Sequence, residues 1–361
     1  AIPSRPREAA ALAAAAAQRA AATGDAAGEA LALTVAAYHE GVVEKQPPER
    51  LEARAQAALP LLERVGDHAG LAEVWHMLGF GVASMRGHWA EQAYAEEQAL
   101  LHARRAGRPW QPVGFALPLV IGSVPAADAL ERLDQFASDP TPYTLLYRAW
   151  LLAMLDRIGE AQSLALQAHE RRREQTGRQH ALWPLAEIAV LAGNLDEAAR
   201  HLRTFCDWLE ANENYGFLPT FALRLGRVLC LLGRYNDAEP LARRARELAR
   251  EQDAVPQSLW RQVQALVSSA GAEHAEAEQL AREAVAIITE RTDGLQWQGD
   301  ALCDLAEVLA AGGRRQESVE ALSEALDRYD RKQVIPLARR VRERLGTVQQ
   351  TQLAKRDDVL G

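Results

Sequence analysis

The chain has 361 residues, and its 41 basic against 49 acidic side chains give a formal net charge of −8. This balance argues against a general binder of nucleic acid or of anionic membranes, because such proteins carry net positive charge. Alanine and leucine dominate the apolar residues, and only 6% of the chain is aromatic. Because such a composition favours helices over strands, we expect an all-α protein.

The N-terminal part of the chain, residues 1–69, is rich in alanine and has the pattern of three helices. We predict these helices over residues 6–23, 27–44 and 49–65. A glycine turn and a pair of prolines separate them. Their apolar faces contain few large side chains, which is typical of degenerate repeats that cap an array.

From about residue 70 onward, the sequence repeats a spacing between small residues. Two small residues lie 12 positions apart in Ala149 with Ala161, Ala186 with Ala198, Gly226 with Ala238, Ala265 with Ala277, and Ala306 with Ser318. Antiparallel helices approach closely only where the facing side chains are small, so each pair predicts one helical hairpin. Gly193, Gly233 and Gly313 lie where a first helix would end, because glycine readily takes the left-handed conformation.

Small residues at positions 8, 20, 24 and 27 with a glycine at position 15 resemble the tetratricopeptide repeat, most clearly over residues 219–252. Successive units lie 37 to 41 residues apart, compared with 34 in the standard repeat. The resemblance covers residues 70–346, and it implies that the chain forms an α-α superhelix of about eight or nine hairpins. Near residues 107–125, prolines interrupt the period and predict an irregular section. Residues 347–361 are polar and without period, so we expect a frayed tail.

Repeats of about 40 residues are also similar to the C-terminal sensor arrays of bacterial signal-transduction ATPases. These include LuxR-type regulators and the proteins that join a class III nucleotide cyclase to an AAA-type ATPase. Residues 125–136, 156–168 and 295–332 resemble the cyclase-associated arrays most. The resemblance implies a cytoplasmic regulatory module for signal transduction or transcription regulation, with an ATPase or output domain elsewhere. Since the sequence starts at Ala1, we expect a piece of a longer bacterial protein.

No motif in the sequence supports catalysis, a cofactor or a metal site. None of the three lysines follows the glycine-rich turn of a phosphate-binding loop. The nine histidines form no His-Glu-x-x-His pair, and Cys206, Cys230 and Cys303 lie too far apart for a zinc clip. Their odd number and wide spacing indicate a reducing setting. No uncharged run of 18 apolar residues suggests a membrane span.

The concave face of the superhelix is the remaining candidate for a site. In the resembled pattern, positions 2, 5, 6, 9 and 12 of each unit can face inward. Aromatic side chains at such positions anchor partners, and arginines can clamp a carboxylate or a phosphate. The candidate groove residues are Phe80, Tyr143, Tyr147, Trp150, His180, Trp183, Glu187, Arg224, Arg227, Asp304 and Glu307.

The sequence therefore predicts a non-enzymatic module that binds a peptide, a protein or a small inducer in its groove and acts on an attached or partner ATPase or output domain. We expect no direct contact with nucleic acid or a membrane. In an alternative interpretation, Trp150 and Trp183 simply fill the seam between hairpins. Two other functions stay open: an α/α-toroid carbohydrate-processing enzyme and a stand-alone cytoplasmic tetratricopeptide scaffold.

Overall fold

The computed structural model of the chain describes residues 5–44, 47–108, 113–136, 141–171 and 181–360. Across these ranges the chain is built of helices joined by short turns, and they contain no strand. The prediction of an all-α helical superhelix is confirmed. No helix in these ranges has both the length and the apolar character that crossing a membrane requires.

Three helices form the N-terminal end: α1 (Pro6–Thr23), α2 (Ala26–Glu44) and α3 (Pro48–Val65). Each begins and ends within one residue of its predicted bounds. Gly24 and Gly66 follow α1 and α3 with φ values of 74° and 69°, the left-handed conformation that ends many helices. A small core of alanine, leucine and valine side chains joins this end to the array; it includes Ala27, Ala55, Ala58, Leu62, Leu71 and Val74.

In the first hairpin, α4 (His68–Met77), a π-helical segment Leu78–Ala83 and α5 (Ser84–Arg86) run continuously and pair with α6 (Trp89–Arg105). Six further hairpins follow within the described ranges. They are α7 (Val113–Ile121) with α8 (Ala126–Phe136), α9 (Pro142–Met154) with α10 (Ile158–Arg171), α11 (Leu182–Ala192) with α12 (Leu195–Ala211), α13 (Leu218–Leu231) with α14 (Tyr235–Leu248), α15 (Ala254–Ala270) with α16 (His274–Arg291), and α17 (Leu295–Ala311) with α18 (Arg315–Lys332).

The predicted pairs of small residues lie buried where the helices of a hairpin meet. Ala149 and Ala161 have no exposed surface, and the Ser318 hydroxyl donates a hydrogen bond of 2.7 Å to the Ala306 carbonyl of the facing helix. At Gly226, an added Cβ would lie 3.3 Å from Val263 of the next hairpin. Small residues therefore set the close approach both within a hairpin and between neighbours.

Two parts of the chain depart from the regular repeat. The irregular section expected near residues 107–125 contains α7, a short apolar helix with Pro118 inside it, and residues 109–112 of that section lie outside the described ranges. At the other end, α19 (Ile335–Leu360) continues as helix where we expected a frayed tail. Between Gly346 and the final Gly361 the sequence has neither glycine nor proline and contains good helix formers, so its polarity does not interrupt the helix.

The superhelix closes on itself, because its first hairpin contacts a turn near the other end of the array. Asp293 lies between α16 and α17, and its two carboxylate oxygens accept hydrogen bonds of 2.8 and 2.9 Å from the amides of Trp89 and Ala90 at the start of α6. This capping joins residues more than 200 positions apart. Another long-range contact joins α2 to the turn before α13, where the Gly216 amide donates a hydrogen bond of 2.8 Å to the Val42 carbonyl.

A buried lysine makes a further closing contact. The Lys332 ammonium at the end of α18 donates hydrogen bonds of 2.8 and 2.6 Å to the carbonyls of Leu119 and Val124, and the residue has no exposed surface. Burial lowers the pKa of Lys332 to about 7, against the opposing effect of the Asp293 carboxylate. The closure therefore contains a group that changes charge near neutral pH.

We expect wild-type protein to gain stability relative to Lys332→Met as the pH rises from about 7 to 9. Over this range the unfolded chain, with a lysine pKa of about 10.4, keeps the proton, whereas the folded chain has lost it. The unfolded state then binds more protons, so the free energy of unfolding increases with pH, by up to about 1.4 kcal/mol per pH unit. Urea denaturation of both proteins at several pH values measures the difference, and a difference that is constant with pH would contradict this assignment.

Candidate functional site

Four of the charged residues predicted for the groove meet in a buried ion-pair network. Glu187 on α11 pairs with Arg224 on α13. On the same helix, Arg227 donates to both carboxylate oxygens of Asp304 on α17, through Nε at 2.7 Å and Nη2 at 3.0 Å. Asp300 lies between the guanidiniums, 3.6 Å from Arg224 Nη1 and 3.5 Å from Arg227 Nη1. The five residues are only 1% to 7% exposed. The closed superhelix therefore buries these charges, which lie on the first helices of their hairpins.

Further polar contacts complete the network. The Tyr329 hydroxyl donates to Asp300 at 2.8 Å, and the Trp183 indole donates to Glu187 at 3.1 Å. Burial alone would lower the pKa of Arg227, but the Asp300 and Asp304 carboxylates outweigh it and raise that pKa well above its usual value. Both arginines are therefore already paired. The expectation that they are free to clamp a carboxylate or phosphate of a ligand does not match this arrangement.

The predicted aromatic residues are buried to different degrees. Trp150 has no exposed surface, and its ring lies 6.5 Å from Tyr147 and 5.5 Å from Trp183, measured between centroids. This position matches the alternative interpretation, in which Trp150 fills the seam between hairpins. Tyr147 is also buried, whereas Tyr143 at the start of α9 is half-buried.

The remaining predicted residues lie at other places. Glu307 lies on the surface and pairs with Arg344 of α19 at 2.8 Å, so it does not belong to the buried network. His180 lies outside the described residues. Phe80, in the π-helical segment, and Trp183 are each 8% exposed, and both line a cavity.

This cavity has a volume of about 550 Å³, counted to its open mouth, and it lies beside the ion-pair network. Trp183 and Trp297 belong to both, because Trp183 donates to Glu187 and the Arg224 guanidinium lies 5.5 Å from the centre of the Trp297 ring. The first hairpin, α7, α11, α13, α15 and α17 all contribute to the wall. Its aromatic side chains are Phe80, Trp89, Trp183, Phe217, Phe221 and Trp297.

Three wall residues occupy equivalent positions in consecutive repeats, and our sequence reasoning missed them. Phe217, Pro256 and Trp297 each lie nine positions before the first small residue of their unit, the residues 226, 265 and 306. Pro256 and Trp297 lie in the first turn of α15 and α17, which have 17 residues each, whereas Phe217 directly precedes α13. The available signal was the period longer than 34 residues, because residues ahead of the standard repeat supply part of the cavity wall.

Within the described ranges, no group of three histidine, cysteine, aspartate or glutamate side chains has a geometry that could hold a metal ion. Burial raises the pKa of Cys206, Cys230 and Cys303 to about 12, so these cysteines are protonated thiols at neutral pH. The chemistry that the interior offers is therefore apolar and aromatic contact beside a closed ionic network.

No protein-family model matches the sequence, and no curated protein sequence matches it. Among solved structures, the chain is similar to the Rap protein complexed with competence and sporulation factor, with a TM-score of 0.62 and 12% identity over 94% of both chains. It is also similar to NprR in complex with its cognate peptide NprX, with a TM-score of 0.51 and 11% identity over 78% of this chain and 84% of that one. The similarity supports a superhelix of the tetratricopeptide type.

Proposed function

We propose that this chain is a non-catalytic recognition module that binds a peptide, or an extended segment of a protein, in the cavity of its closed superhelix. The cavity carries the proposal. Its wall is aromatic and includes the half-buried Ser84, Met85 and Thr220, through which we infer that it opens to solvent, whereas the neighbouring charges are paired with each other. Aromatic walls supply a large contact area at low entropic cost, which suits the capture of one or two side chains.

The comparisons favour a peptide as the ligand. The Rap protein was solved with competence and sporulation factor, and NprR with its cognate peptide NprX. In this chain the wall joins the first hairpin to α17, so a ligand in the cavity contacts both ends of the closure. A ligand that binds the closed form more tightly than an open form shifts the population toward closure. This shift is the signal that the module passes on.

We place this module in a larger cytoplasmic bacterial regulator, as the similarity to sensor arrays of signal-transduction ATPases suggests. Residues 1–69 cap the array of residues 70–346, and closure of the array changes how an attached or partner ATPase or output domain docks. A glycoside hydrolase needs two carboxyl groups at its site. In the described part of the chain, the cavity wall contains a single carboxyl group, that of Asp253. This arrangement does not favour the α/α-toroid enzyme.

A large side chain introduced at Thr220, in the partly exposed part of the cavity wall, tests whether peptides bind in the cavity. Wild-type protein is screened on an array of random octapeptides, and the selected peptides are titrated against Thr220→Trp. We expect at least about a tenfold loss of affinity, which corresponds to about 1.4 kcal/mol. Thr204→Trp, on the exposed face of α12, is the matched control and should bind as the wild type does. Peptides that bind Thr220→Trp as tightly as the wild type would place recognition elsewhere.

A further inference from the structure

Two buried polar atoms of the cavity-wall residues lack a hydrogen-bond partner among the described residues: the indole Nε1 of Trp89, a donor, and the carboxylate Oδ1 of Asp253, an acceptor and the only one of the two that can carry charge. Asp253 is 4% exposed and precedes α15 as its N-cap residue, but its side chain makes no capping hydrogen bond. Its Oδ2 accepts a hydrogen bond of 2.8 Å from Arg250 Nε, whereas its buried Oδ1 has no partner among the described residues. A buried acceptor without a partner is costly, so a donor on the ligand would restore a lost interaction.

The rings around this carboxylate favour a positively charged donor. Trp89 and Trp297 meet edge to face at 5.4 Å between centroids, and Phe80 lies 5.8 Å from Phe217. The faces of such rings attract cations and their edges pack against apolar stems. Arg224, which lies against Trp297 from the network side, already makes such a contact within the protein.

The charged residues in and behind the cavity wall also do not favour an anionic ligand. Asp253 is the one charged residue in the described wall, which has no lysine, arginine or histidine to attract an anion. Behind the wall, Arg250 pairs with Asp253 through Oδ2, and Arg291 and Glu49 add one charge of each sign. The surroundings of the carboxylate therefore do not leave a cationic site for an anionic ligand.

We propose that the group that enters this cavity is a cation, an ammonium or a guanidinium on an apolar stem, which donates to Asp253 Oδ1 and packs against the aromatic rings. This inference rests on the proposed function and deepens it, because it names the chemistry of the recognised side chain. A peptide ligand would then carry a basic residue at its anchoring position.

Two probes of the same size test the inference on the full chain. Phenethylammonium and 2-phenylethanol share the phenylethyl body and differ in the charge of the donor. We expect titration calorimetry to give at least about a tenfold lower Kd for phenethylammonium. Asp253→Asn should reduce this ratio to about one, whereas Asp237→Asn on the exposed face of α14, a matched control, should leave the ratio unchanged.

A second variant keeps the test informative if Asp253→Asn does not fold. Phe217→Leu keeps the carboxylate but removes one ring, and it should lower the preference for the ammonium probe. Equal affinities of the two probes for the wild type, no binding of either probe, or an unchanged ratio in Asp253→Asn would each overturn the cation proposal. Loss of peptide binding in Thr220→Trp would still support the proposed function in those cases, so the two failures are distinguishable.

Discussion

Replacing Arg227 with methionine should lower the free energy of unfolding by about 3–5 kcal/mol. The substitution leaves Asp304 buried with neither of the two hydrogen bonds that Arg227 donates, and Asp300 loses one of its two neighbouring guanidiniums. Removing one partner of a buried ion pair is costly because the remaining charge stays desolvated. Urea denaturation followed by far-ultraviolet circular dichroism measures the change.

The matched control is Arg234→Met at an exposed ion pair with Asp237, where both side chains are about half exposed. Such surface pairs contribute at most about 1 kcal/mol, so this variant should unfold close to the wild type. The double variant Arg227→Met with Asp304→Leu should recover a large part of the loss, because it removes the unpaired charge. Equal stability of Arg227→Met and Arg234→Met would contradict the buried network.

Replacing Trp150 with alanine should also destabilise the protein, by about 3–5 kcal/mol. The side chain has no exposed surface and lies between α9 and α11, where it contacts the rings of Tyr147 and Trp183. Truncation removes apolar contact and leaves a cavity that the rigid helices fill only in part. Thermal and urea denaturation measure this loss.

Trp150→Phe separates ring packing from hydrogen bonding. The Trp150 indole nitrogen has no hydrogen-bond partner in the described ranges, so phenylalanine removes no hydrogen bond and keeps most of the ring contact. We expect this variant to lose less than half as much stability as Trp150→Ala. If Trp150→Ala unfolds like the wild type but binds peptide less tightly, Trp150 is a binding anchor and the seam interpretation is wrong.

Local sequence patterns predicted the hairpins well, because each depends on residues close together in the chain. The 12-residue spacing of Ala186 with Ala198, for example, already requires two helices and a short turn. The closure could not be predicted in this way. It depends on Asp293 reaching the amides of α6 and on Lys332 reaching the carbonyls of Leu119 and Val124, and no repeat pattern marks these contacts.

The same limit applies to the candidate site. Phe80 and Trp183 were among the predicted residues and line the cavity. Arg224 and Arg227 were also predicted, but they form ion pairs with carboxylates of the buried network instead of facing a ligand. The repeat pattern gives the face of a helix on which a residue lies. It does not show whether that face opens to solvent, because the superhelical closure decides how much of the concave surface remains exposed.

The closed superhelix is the basis of both the buried network and the proposed binding cavity, and small-angle X-ray scattering tests it most directly. A compact chain of 361 residues should have a radius of gyration of about 21 Å. We predict a value close to this limit for the free protein in dilute solution. A clearly larger radius with an elongated distance distribution would mean that the superhelix is open, and it would contradict the contacts of Asp293 and Lys332 that close it.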